Sequence, residues 1–178
     1  GQGNAHSIYD FEGAQKTWQA IQAFAQKGGK GIYTDTYTKH KCGGAPKKIC
    51  LLTEHYARKQ GTREKLDFHY YTASKELYDV PYFTPRLIEI YKERNVPYEV
   101  NVRVKGVDTQ AKRVYMEKVV TKGEEKITAP FVEDYEFLHF VPPMSAPMTY
   151  FLFSIFITPL RARSPTHLTR VCINFLSV

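Results

Sequence analysis

The stretch that decides the fold is residues 31–71, GIYTDTYTKHKCGGAPKKICLLTEHYARKQGTREKLDFHYY. Its first part, Gly31 to Thr36, is short and rich in β-forming residues, which is typical of a strand that runs into a loop. Residues 45–60 place apolar side chains on one face behind a first-turn proline, so we expect a helix there. Residues 66–70 alternate apolar and polar side chains as a half-buried strand does. A strand, a helix and a strand in this order predict a right-handed parallel crossover.

Two more helices flank this unit. Apolar residues at helical spacing predict a helix over Gly13–Gln26, which the Gly28-Gly29 pair ends. Thr84 as N-cap and Pro85 in the first turn predict another helix, which ends before Asn95. Both predicted helices have one apolar face.

The later part of the chain reads as strands. Alternation over Tyr98–Val104 and Val114–Val120, around a turn at Gly106–Asp108, predicts an antiparallel hairpin. A last strand is expected over Tyr135–Val141, before a proline-rich exit. The predicted fold class is therefore α/β, a Rossmann-like βαβ domain with an antiparallel β-hairpin addition.

Composition limits the function classes. The chain has 178 residues, a formal charge of +7 and 43% hydrophobic residues, which fits one globular domain and excludes a disordered or collagenous chain. Its three cysteines, at positions 42, 50 and 172, are an odd number without zinc-site spacing. No targeting signal is visible at Gly1.

The composition changes after Pro147. Residues 148–160 are almost continuously apolar, too few to span a bilayer, and the residues that follow are basic and rich in Ser and Thr. We expect residues 148–178 to be a tail foreign to the domain, from a frameshift or an unspliced junction. A buried segment and an interfacial anchor are the alternatives. The expected domain is residues 1–147.

Cys42 is the candidate catalytic residue. It lies between the predicted strand and helix in Lys41-Cys42-Gly43-Gly44-Ala45-Pro46, a turn at which open α/β sheets meet their ligands. The turn lacks the G-x-G-x-x-G pattern of nucleotide sites and offers a thiol followed by two glycines that allow close approach. The helix N-terminus and the nearby lysines would favour a reactive thiolate. The alternative is an inert small residue, with the lysines pointing into water.

The other side chains near this turn are weaker candidates for a functional role. Cys50 would lie about 12 Å from Cys42 along a helix, too far for a disulfide, so we expect it in the core. His40 could act as a base for Cys42, but a loop histidine between two lysines is expected to be exposed. The cluster of Lys39, Lys41, Lys47 and Lys48 leaves open a basic module that binds nucleic acid or another anionic surface.

Several short motifs along the chain, taken in order, match those of a known family. They are Lys16-Thr17-Trp18, the turn from Lys41 to Ile49, Tyr56 to Gly61, Glu93-Arg94-Asn95, and Leu138-His139 followed by Pro142-Pro143-Met144-Ser145. Together they resemble the sulfide:quinone oxidoreductases, in the branch of the mitochondrial enzymes and their bacterial relatives. The resemblance runs from Gly1 to Pro147 and leaves residues 148–178 unmatched.

The resemblance implies a fold and an activity. It implies the second nucleotide-binding-like domain of a flavoprotein of the disulfide-reductase type, incomplete at both ends, with FAD as cofactor and sulfide and quinone as substrates. Cys42 matches a redox cysteine that would carry sulfur as a persulfide. The parent protein would associate peripherally with the bacterial inner membrane or the mitochondrial inner membrane, without nucleic acid.

The main FAD-binding segments of such enzymes have no counterpart in this sequence. We therefore expect this chain to be an inactive fragment that binds FAD weakly or not at all. The alternative within the same fold is an NADH:quinone or disulfide reductase, although the missing glycine pattern speaks against NADH.

Overall fold

The computed structural model describes residues 4–122 and 125–145 of the chain. In chain order the elements are β1 (Ala5–His6), α1 (Phe11–Lys27), β2 (Gly29–Thr34), α2 (Ala45–Lys59), β3 (Leu66–Tyr71), α3 (Thr84–Glu93), β4 (Tyr98–Glu99), β5 (Val102–Asp108), β6 (Arg113–Lys122), β7 (Glu125–Asp134) and β8 (Phe137–His139). A short 3-10 helix, Arg63–Lys65, precedes β3. The expected tail, residues 148–178, lies outside the described residues.

The five-stranded sheet has the order β1-β8-β2-β3-β4, and its described pairs are all parallel. β2 and β3 pair in parallel register from Gly29 opposite Leu66 to Thr34 opposite Tyr71, with α2 between them in the chain. This is the parallel strand–helix–strand unit that the sequence predicts. The α/β fold class is therefore confirmed.

Both faces of β2 are buried, because each face meets a different layer. Tyr33 belongs to the core with Phe24 of α1, Cys50 of α2 and Tyr91 of α3. Its neighbour Ile32 points to the opposite face and belongs to a second core that the antiparallel strands β5 and β6 contribute to. Such two-sided burial explains why the adjacent residues Ile32 and Tyr33 are both large and apolar.

The antiparallel addition has three strands, in the order β5-β6-β7. The hairpin of β5 and β6 confirms the predicted antiparallel pair, but the sequence analysis missed β7, which pairs with β6 in regular register. Pro130 interrupts the apolar pattern of β7, although it lies in register opposite Glu117. β7 is an edge strand, where a proline is tolerated. The short strand β1 was missed as well.

The single strand predicted over Tyr98–Val104 is wrong. Asn101 has a φ of 58°, in the left-handed region that strands do not use. The chain bends there, so that β4 joins the parallel sheet and β5 begins the antiparallel one. Asn can adopt this conformation at low cost, which allows the bend. The bend was not predicted because the alternation of side chains continues on both sides of it.

The turn predicted at Gly106–Asp108 is also misplaced. Gly106 lies within β5, next to a register shift after Val104, and the chain turns between Asp108 and Arg113 instead. The Asp108 carboxylate accepts hydrogen bonds from the backbone N–H groups of Gln110 and Ala111. The glycine marks a bulge rather than the turn.

Thr84 is not the N-cap of α3. It is the first helical residue, Phe83 occupies the cap position, and the Thr84 hydroxyl donates to the carbonyl oxygens of Tyr78 and Val80. The hydroxyl therefore binds the preceding loop instead of the helix. At α1, by contrast, Asp10 is a true N-cap, since its carboxylate accepts the Gly13 N–H at 2.6 Å.

His139 ends β8 inside the sheet and is fully buried. Its ring stacks on Tyr33, and neither ring nitrogen has a hydrogen-bond partner among the described residues. Burial, with a smaller contribution from nearby His6, lowers the pKa of His139 to about 3. The imidazole is therefore neutral at physiological pH.

Among the helices that the structure describes, none has the length and apolar character needed to cross a bilayer.

Candidate functional site

The candidate site lies in the connection between β2 and α2, residues 35–44. This loop leaves the carboxyl end of β2, the end at which parallel sheets bind ligands. Cys42 is exposed and free, and its carbonyl oxygen accepts the N–H of Ala45, the first residue of α2. The structure thus places the thiol where the sequence predicts it, at the strand-to-helix turn.

Tyr9 fixes this turn from another part of the chain. Its hydroxyl donates to the Cys42 carbonyl oxygen at 2.9 Å, and the Lys41 ammonium donates to the Tyr9 carbonyl oxygen at 3.4 Å. Burial raises the pKa of Tyr9 to about 12, with further contributions from Cys42 and Asp35. The hydroxyl therefore remains a donor at neutral pH. Nothing in the local sequence pattern marks Tyr9, which lies 33 residues before Cys42.

His40 departs from its expected exposure. The residue is half-buried, and its Nδ1 lies 3.1 Å from the Thr38 carbonyl oxygen. Its ring meets the Tyr9 ring edge to face at 6.2 Å. Its Nε2 is buried and has no hydrogen-bond partner among the described residues.

Lys47 departs from the predicted basic cluster. Its side chain is buried and its Nζ lies 2.9 Å from an Asp35 carboxylate oxygen. It therefore neither points into water nor supplies a free charge at Cys42. Lys39, Lys41 and Lys48 remain exposed, so the basic surface is smaller than the sequence indicates.

Asp35 is the centre of a buried polar network that the sequence analysis missed. Besides Lys47, its carboxylate accepts hydrogen bonds from the hydroxyls of Tyr70 and Thr72 and from the Ala73 N–H. This network joins the carboxyl ends of β2 and β3 to the first turn of α2. It gives the Cys42 loop a rigid base, and its only sequence signal is an acidic residue directly after a buried strand.

Cys50 occupies the core, as predicted. It is fully buried within α2, and burial raises the pKa of its thiol. The two cysteines of the described chain therefore differ completely in access to solvent.

A cleft of about 250 Å³ opens beside Gly44, between α2 and α3. Its walls include the apolar side chains of Leu51, Phe83 and Leu87, with Lys48 also lining it. The volume is below the roughly 300–1,000 Å³ of typical cofactor pockets. Across residues 4–122 and 125–145, no group of three metal-ligating side chains comes together.

The chain has curated relatives with one name. It is 36% identical over 141 residues to the mitochondrial sulfide:quinone oxidoreductase of Mus musculus, which covers 79% of this chain and 30% of the mouse protein. It is 28% identical over 144 residues to the mitochondrial sulfide:quinone oxidoreductase of Dictyostelium discoideum, covering 81% of this chain and 30% of that protein. No protein-family profile matches the chain.

The fold has a counterpart among solved structures. The sulfide:quinone oxidoreductase from the hyperthermophilic bacterium Aquifex aeolicus superposes with a TM-score of 0.64 at 21% identity, over 81% of this chain and 32% of that one. At this identity the likeness concerns the fold alone. The sequence relatives carry the assignment: this chain belongs to the sulfide:quinone oxidoreductase family and spans about 30% of the length of the curated members it matches.

Proposed function

We propose that this chain is part of an oxidoreductase that oxidises sulfide and delivers the electrons to quinone, and that Cys42 carries the sulfur. The observation that supports this most strongly is the exposed Cys42 thiol at the start of α2, in a chain that is 36% identical to a sulfide:quinone oxidoreductase. The protein would associate peripherally with a membrane, where quinone is found.

The chemistry at Cys42 is sulfur exchange. The Sγ thiolate attacks a sulfur atom of a polysulfide and forms a new S–S bond, while the adjacent S–S bond breaks and the shortened polysulfide leaves with the electron pair. The product is a persulfide on Cys42. Because the thiol is exposed and is followed by two glycines, a polysulfide from solvent can approach it closely.

The described residues do not fit an FAD site of their own. The connection from β2 to α2 lacks a glycine-rich phosphate turn, and the Asp10 carboxylate caps the N-terminus of α1, where it would repel a pyrophosphate. We therefore assign FAD to the whole protein, as the family resemblance implies, and polysulfide exchange at Cys42 requires no flavin.

Polysulfide loading tests the role of Cys42. The chain with Cys172→Ser is incubated with inorganic polysulfide, and each cysteine-containing peptide is examined by mass spectrometry. We expect added sulfur on Cys42 and none on Cys50, which serves as the buried control in the same molecule. Loading of Cys50 alone, or equal loading of a Cys42→Ser variant, would overturn the proposal.

Flavin titration tests the assignment of FAD. Isothermal calorimetry with the purified chain should show weak binding or none, since no phosphate cradle occurs among the described residues. Tight binding at one FAD per chain would mean that these residues form a flavin site after all.

A further inference from the structure

We infer that His40 is the general base that takes the proton of the Cys42 thiol; this rests on the proposed role of Cys42. The two residues share one loop, with Lys41 between them. What distinguishes His40 from an ordinary surface histidine is a fixed ring with one buried nitrogen that has no partner among the described residues.

The hydrogen bond to Thr38 sets the tautomer. A carbonyl oxygen only accepts, so the contact of 3.1 Å between Nδ1 and the Thr38 oxygen requires the proton on Nδ1. Nε2 then has a free lone pair, which is the form that a general base needs. The Thr38 hydroxyl in turn accepts the Met144 N–H at 3.2 Å, which holds the loop in place.

The free nitrogen lies beside the Cys42 turn. A Cβ atom built on Gly43 would be 3.9 Å from His40 Nε2, so this nitrogen lies close to the residue that follows the thiol. Tyr9 contacts both partners, since its ring packs on His40 and its hydroxyl binds the Cys42 carbonyl oxygen. These contacts hold the imidazole, whereas the Cys42 thiol is exposed and does not hydrogen-bond to Nε2 in the structure, so the transfer requires the cysteine side chain to turn toward the ring.

Charged groups of both signs lie near the pair. The Asp79 carboxylate lies 4.0 Å from the same point on Gly43, and the ring of its chain neighbour Tyr78 lies 3.9 Å from it. Lys39 and Lys41 lie on either side of His40 in the chain, and both are exposed.

The step is a proton transfer without redox change. The S–H bond of Cys42 breaks, an N–H bond forms at His40 Nε2, and the thiolate retains the electron pair. The resulting imidazolium keeps its Nδ1 hydrogen bond to Thr38, and its new Nε2–H takes the thiolate as its acceptor. The thiolate is then the nucleophile for polysulfide.

The test is the pH profile of Cys42 alkylation by iodoacetamide, measured by peptide mass spectrometry in the full chain with Cys172→Ser. His40→Asn removes the base and keeps an amide donor for Thr38, and His55→Asn is the control because His55 is exposed on α2. We expect His40→Asn to lower the rate at neutral pH about tenfold, the effect of moving the profile by about one pH unit. The control should match the parent.

A reciprocal measurement separates a chemical role from a structural one. The titration of the His40 ring, followed by NMR, should shift in Cys42→Ser, because coupling between two titrating groups acts on both. The inference would be overturned if His40→Asn left the pH profile of Cys42 alkylation unchanged, or if Cys42→Ser left the His40 titration unshifted. Either result would leave Cys42 as the proposed sulfur carrier. An absence of polysulfide loading on Cys42 would instead remove the proposed function.

Discussion

The two described cysteines, one in the loop before α2 and one within the helix, have opposite surroundings. Cys42 precedes the helix in an exposed loop whose contacts come from Tyr9 and from polar groups. Cys50 lies eight residues later, on the inner face of the helix, and is fully buried. The comparison shows that residue type alone does not decide access to solvent in this chain, because the packing of α2 buries one thiol and leaves the other exposed.

The Asp35 network lies at the base of the loop that carries Cys42. It fixes the first turn of α2 through Lys47, so that the loop before it can be open while the helix after it is packed. Functional loops commonly stand on such rigid scaffolds.

The largest expected effect is on labelling rate. In the folded chain, iodoacetamide should alkylate Cys42 at least about a thousandfold faster than Cys50, because Cys50 reacts only when the fold opens, at a cost of several kcal/mol. Peptide mass spectrometry measures both sites in one sample. In denaturing urea the two rates should become similar, and similar rates without urea would contradict this difference in access.

Breaking the buried ion pair should damage both regions. Lys47→Met leaves the Asp35 carboxylate buried without its cation, which should lower the free energy of unfolding by about 3–5 kcal/mol. Urea denaturation measures the loss. Asp134→Asn is the matched control, because its pair with Arg113 is exposed and should contribute little to stability. Equal losses in the two variants would count against the network.

Acid should loosen the packed region. The pKa of His139 is about 3 in the folded chain and about 6.5 when unfolded, so the unfolded state binds the proton more readily between these values. Stability should therefore fall as the pH drops below 6.5, by about 2 kcal/mol at pH 5. Urea denaturation at several pH values should show a smaller decline in His139→Phe.

The control for the acid effect is His55→Asn, which should leave the decline unchanged because His55 is exposed. Burial lowers the pKa of His6 too, so a part of the decline should persist in His139→Phe. A decline that is the same in the parent and in His139→Phe would show that this histidine is not protonated on unfolding.

The smallest expected effect concerns the helix that follows Tyr9. Asp10→Ala removes the N-cap of α1 and should cost about 1 kcal/mol of stability. Asp10→Asn, which keeps a capping oxygen, should lose clearly less. A loss in Asp10→Asn as large as in Asp10→Ala would mean that the charge, rather than the cap, stabilises this helix.

The sequence predicted those parts of the fold in which the spacing of apolar residues is regular. The helices over residues 11–27 and 45–59 and the parallel pair of β2 and β3 follow from regular apolar spacing. The bend at Asn101 and the strand through Pro130 did not, because alternation continues across the first and is interrupted in the second. Tertiary contacts decide both positions.

Of the candidate site, only the position of the Cys42 thiol was predictable from the sequence. Cys42 follows from its place between a strand and a helix, which is local information. Tyr9 and Asp35 meet this turn or its base only after the chain has folded, so spacing cannot show them. The expectation that Lys47 belongs to an exposed basic cluster was wrong for the same reason, since sequence alone does not distinguish a buried lysine with a carboxylate partner from a surface lysine.

Pro130 has a consequence for self-association. β7 is the last strand of its sheet, and a free strand edge can recruit the same edge of another molecule into a continuous ladder. Proline has no N–H, so this strand has one backbone donor fewer along its length. The interruption that hid the strand from sequence analysis thus also makes its edge a poorer template for aggregation.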